Sequence, residues 1–203
     1  MRIGLIGPSE EDPALLREAA EFLLGDAGVE HAVYLGTRAT LSKVVDAWGE
    51  QVTRGFASEE RFLEHAAALA LSDGEGQALS ALLERDRERK RLDSLSCLPA
   101  PPGRTVELFD DKLVLLVHDK ASLDQEDIAN AFVVVYGKSK QAAVHRFGPR
   151  TFCTPGPLKA GRVMVLEREP EGHLAIGQFD PHTGEPRGRD VIQVRRARLV
   201  VNP

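Results

Sequence analysis

The stretch VVVYGKSKQ, Val133 to Gln141, places Lys138 and Lys140 directly after a run apolar enough to be a buried strand. In α/β proteins ligands bind where such a strand empties into a loop. An ammonium group there can hold an anion, phosphate above all, as a point charge. It cannot ligate a metal, because it has no lone pair to give. Other chemistry is sparse. Ser9 and Ser139 sit in no G-x-S-x-G turn and beside no evident base, so neither reads as a nucleophile. Cys97 and Cys153 form no C-x-x-C pair, and no His or Asp stands at zinc-site spacing from them. His31, His65, His118, His145, His173 and His182 are scattered. A lone His at a strand end, such as His118, reads first as a hydrogen-bonded residue, since metal sites need clustered ligands.

The elements that must position these residues follow from periodicity. MRIGLIG reads as a buried first strand. Asp12-Pro13 supplies a helix N-cap and a proline for the first helical position. Leu15, Leu16, Ala19, Ala20, Leu23 and Leu24 continue that helix at helical spacing. HAVYLG (31–36) is the next strand, and helical spacing resumes at Leu41, Val44, Val45 and Trp48. From Ser58 to about Ser94 the strand signal vanishes, and two helices are expected, broken at Ser72-Asp73-Gly74. The run Glu84–Arg91 reads as a solvated helix face laced with ion pairs. After the proline-rich LPAPPGR, strands return quickly: TVELF and KLVLLVH around an Asp110-Asp111 turn, AFVVVYG, then segments at 144–147, 151–153, 162–167 and 173–179, and a last strand over 191–201.

Composition narrows the class. The 203 residues are 42% apolar and 28% charged, with a net charge of -5, which suits one domain able to build a sizeable core and gives no electrostatic case for nucleic acid or an anionic membrane surface. The basic run VRRARLVV (194–201) reads as an amphipathic strand with its charges in solvent. No stretch approaches the roughly 18 apolar residues of a membrane span. The short apolar N-terminus lacks a signal-peptide pattern, so a cytoplasmic protein without a disulfide is expected.

Six fragments then stand in a telling order: LIGPSEED, VYLGTRA, LPAPP with VELFDDKLVLLVHD, VVVYGKSK, TPGP, and VMVLERE. Their order and spacing resemble the calcineurin-like metallophosphoesterase family, in its small bacterial phosphodiesterase branch. The resemblance implies an α/β fold, a two-sheet βαβ sandwich spanning 1–203 as one domain, with a helical insert over 50–95. The family holds two metal ions with D-x-H, G-D, G-N-H-[DE], a lone His and G-H-x-H. Carried onto this chain, the first motif's Asp and His fall at Pro8 and Glu10, the bridging carboxylate at Thr37, the lone His at His118, and the last two His at Lys138 and Lys140. G-N-H-[DE] has no counterpart, and Asp119 replaces the glycine after the lone His. Two cations cannot be held by proline, threonine and ammonium groups, so neither a metal nor another cofactor is expected.

The reading implied is a non-catalytic protein that acts as an interaction or scaffold module for another protein, as the eukaryotic retromer subunit reuses this fold. An alternative is an anion site for a phosphate-containing small molecule or nucleotide, built from Thr37, Arg38, His118, Lys138 and Lys140 brought to one loop end. A third is an active phosphoesterase with an atypical metal site. Glu10 is expected to pair with Lys138 or Lys140 and leave the loop end internally neutral. The helical segment 58–94 and the sandwich's apolar edges are the expected contact surfaces.

Overall fold

The computed structural model of the chain describes residues 1–53, 59–72 and 76–193. Its order is β1 (Arg2–Ile6), α1 (Pro13–Leu24), β2 (His31–Tyr34), α2 (Arg38–Thr53), α3 (Glu59–Ser72), α4 (Gln77–Arg91), β3 (Leu95–Cys97), β4 (Arg104–Phe109), β5 (Lys112–Val117), α5 (Gln125–Asn130), β6 (Val133–Tyr136), β7 (Ala143–Phe147), β8 (Arg150–Thr154), β9 (Val163–Arg168), β10 (Leu174–Phe179) and β11 (Pro186–Ile192).

The strands make two mixed sheets, ordered β11-β10-β9-β1-β2-β3 and β4-β5-β6-β8-β7. β1, β2 and β3 run parallel in the first, and β5, β6 and β8 in the second. The two inner faces meet in one core that includes Leu5, Val33, Leu116, Val135, Met164 and Ile176, all buried. Burying each such side chain stabilises the fold by about 1.5–3 kcal/mol. α1 and α2 cover the outer face of the first sheet through Leu16, Ala20, Leu23 and Val44. α1 starts where its sequence says: the Asp12 carboxylate accepts from the amides of Ala14 and Leu15 at 2.9 and 3.2 Å, a cap contributing about 1 kcal/mol.

The expected two-sheet α/β sandwich is the observed architecture. The β4–β5 hairpin turns at Asp110 and Asp111, with Phe109 opposite Lys112. α3 ends at Ser72 and α4 begins at Gln77, around the expected break. The last strand differs: β11 runs from Pro186 to Ile192, beginning before the expected 191, and residues 194–201 lie outside the described residues. Two elements were not legible in the apolar pattern. β3 has only three residues and no fully buried side chain. α5 has six, and its signal was the capping box in which Asp124 and Asp127 each bond the other's backbone amide.

Candidate functional site

The carboxyl ends of the parallel strands from both sheets meet at one edge, and they meet backbone to backbone. The loop after β1 and the loop after β8 are fastened by Leu158 N donating to Pro8 O at 2.8 Å. A Cβ on Gly7 would lie 1.7 Å from Gly156 O, so only glycine permits that approach. The loop after β6 lies against those after β2 and β5. Lys138 N donates to His118 O at 2.7 Å. A Cβ on Gly137 would lie 2.7 Å from Leu35 O. Gly137 is therefore required by close approach.

Several side chains at this edge are bonded to the protein itself. Both ring nitrogens of His118 face backbone acceptors, Nε2 2.8 Å from Pro99 O and Nδ1 3.2 Å from Leu35 O. The imidazole thus staples the ends of β2, β3 and β5. Ser9 is buried, with its amide and hydroxyl 3.1 and 2.9 Å from the Tyr34 hydroxyl. Thr37 Oγ1 lies 2.9 Å from Thr40 Oγ1 at the start of α2. Glu10 and Glu11 take left-handed backbone angles, φ 49° and 69°, and Asp12 N closes the turn onto Ser9 O at 2.9 Å.

The charge pairing corrects one expectation. Glu10 pairs with neither Lys138 nor Lys140; its Oε2 lies 2.7 Å from Lys159 Nζ. Lys138 Nζ instead donates to Asp119 Oδ2 at 2.7 Å. That bond, with a second from the Ala121 amide, holds the Asp119 carboxyl below its ordinary range, and the Asp119 carboxylate in turn raises Lys138 above its own. Lys120 lies over the Tyr136 ring, 4.8 Å from its centroid. Arg38 and Lys140 are exposed and make no hydrogen bond or ion pair among the described residues. So of the five residues of the expected anion site, the structure links His118 and Lys138, while Thr37 turns to its own helix. Asp119 and Lys159 were missed, although an aspartate in the family's glycine position was a usable signal.

A pair of divalent cations needs several carboxylate, imidazole and amide ligands, one of them bridging. The residues here do not fit that demand. Pro8 has no donor, Thr37 cannot bridge as a carboxylate does, His118 is engaged by two carbonyls, and Lys138 and Lys140 carry ammonium groups. Among the described residues, no three His, Cys, Asp or Glu side chains gather as a group able to hold a metal. Cys153 offers no reactive thiol: burial above all, with the negative charge of Asp190, pushes it up to about 12.

A conserved uncharacterized protein, predicted phosphoesterase, from Streptococcus pneumoniae superposes with a TM-score of 0.51 at 11% identity, covering 94% of this chain and 95% of its own. The chain has the calcineurin-like metallophosphoesterase fold. A novel archaeal phosphodiesterase matches with a TM-score of 0.45 at 18% identity, over 94% of this chain and 99% of that one. Vacuolar Protein Sorting 29 from Cryptosporidium parvum gives 0.49 and 15%, over 94% and 96%. No family model matches the sequence, and no curated protein matches it.

Proposed function

We propose that this protein is a non-catalytic member of the metallophosphoesterase fold that serves as a protein-interaction module. The observation that carries the reading is the state of the loop edge, where the groups at the family's ligand positions lack donors or are bonded to the chain's own backbone and carboxylates. Exposed apolar side chains on two helices support the interaction reading. α3 packs against α4, and Leu63, Leu71 and Leu83 on these helices are 60%, 92% and 42% exposed.

The first experiment is metal content. Protein expressed with excess manganese and freed of loosely bound ions should carry almost no Mn, Fe, Zn or Ni per chain by mass spectrometry, and should not hydrolyse bis-(4-nitrophenyl) phosphate. One or two tightly held equivalents, or hydrolysis above background, would overturn the reading in favour of a phosphoesterase with an atypical site.

A second reading, an anion sensor, is supported by Arg38 and Lys140 being exposed without a partner among the described residues. Calorimetric titration with phosphate and nucleotides tests it, and Lys138→Ala with Lys140→Ala should abolish any heat observed.

A further inference from the structure

Away from the loop edge, a cavity of about 440 Å³ opens between α1, α2 and α4. That size lies within the roughly 300–1,000 Å³ of small-molecule sites. Its apolar part is Trp48 of α2, with Leu24 and Leu92. Its polar part holds three arginines against two glutamates.

These groups are not equivalent. Arg17 Nε donates to Glu21 at 2.7 Å, and the same guanidinium bonds the Gln51 side chain and lies 5.3 Å from the Trp48 ring centroid. Glu21 is thereby neutralised and the indole is held in place. Arg91 donates to the Leu24 carbonyl, a neutral acceptor that leaves its positive charge intact. Arg85 is half-buried on the cavity wall and makes no hydrogen bond or ion pair among the described residues. Glu88, one turn further along α4, is exposed and forms no ion pair with it. A half-buried guanidinium gains most from a planar, bidentate anion, and an indole beside it gains from a flat apolar group.

We propose that this cavity binds a small anion that carries an aromatic group, with Arg85 and Arg91 taking the phosphate or carboxylate and Trp48 packing against the ring. The loop edge has no part in the site, so this binding stands apart from the interaction reading above.

Trp48 is the chain's single tryptophan, so its fluorescence reports on the cavity alone. The test titrates the full chain with phenyl phosphate and with adenosine 5′-monophosphate, alongside inorganic phosphate and phenol. Both aryl anions should give a saturable change, with phosphate and phenol at least ten-fold weaker. Arg85→Glu should weaken the aryl anions at least ten-fold with unchanged circular dichroism, since Arg85 makes no hydrogen bond or ion pair among the described residues, and Arg85→Lys should fall between. No saturable change up to about 10 mM, equal binding of phenol or of phosphate alone, or unaltered binding to Arg85→Glu would each overturn the proposal.

Discussion

The loop edge and the helical cavity are opposites. At the edge, backbone meets backbone, Glu10 and Lys138 find partners in neighbouring loops, and Arg38 and Lys140, unpaired among the described residues, lie out in solvent. In the cavity, side chains of three helices leave space, and a half-buried arginine, Arg85, finds no partner among the described residues. The difference follows from how each is built. Parallel strand ends are held to a fixed spacing by two sheets, so their loops can close on one another. α4 packs on the neighbouring helices α2 and α3, and long side chains line the space left beside α1.

The largest effect should come from opening the edge. Gly7→Ala places a methyl 1.7 Å from Gly156 O and should cost about 3 kcal/mol or more in urea denaturation. A cost near zero would mean that the loops are not fastened as described. His118→Ala removes an imidazole whose N–H donates to one of the two backbone carbonyls that face the ring and should cost about 1 kcal/mol, with no change in metal content. Glu11→Gly acts the other way. It relieves a left-handed residue at φ 69° and should stabilise by about 1 kcal/mol. In the cavity, Arg85→Ala should shift stability by less than about 0.5 kcal/mol, because the side chain is uncommitted; a larger loss would erase the contrast between the two regions.

The subtlest prediction concerns pH on α4. Burial pushes Asp86 upward, but hydrogen bonds from Lys90 and Arg89 outweigh it and leave its carboxyl below the ordinary range. A depressed folded value means that its contribution is present above the unfolded aspartate value of about 3.9 and lost as pH falls through the lower folded one. Denaturation across acid pH should therefore show a shallower loss for Asp86→Asn than for the parent.

The charged run Glu84–Arg91 shows where legibility stopped. That ion pairs would lace it was expected, and the structure pairs Glu84 with Arg87 and Asp86 with Arg89 and Lys90. That Asp86 is buried and that Arg85 and Arg91 line a cavity was not. Spacing tells which residues share a helix face, not what lies opposite that face. Trp48 is similar: the pattern put it in the apolar stripe of α2, and only the arrival of α4 made it a cavity wall.

The sequence by itself determined the alternation of elements, the two-sheet class and the absence of carboxylate or imidazole ligands at Pro8, Thr37, Lys138 and Lys140, because these are matters of residue type and period. Tertiary structure alone decided that Lys159 would take Glu10, that Asp119 would take Lys138, and that His118 would join three strand ends. Each of those contacts joins residues brought together by strand register and sheet packing. Register depends on the whole core, and no short stretch of chain contains it.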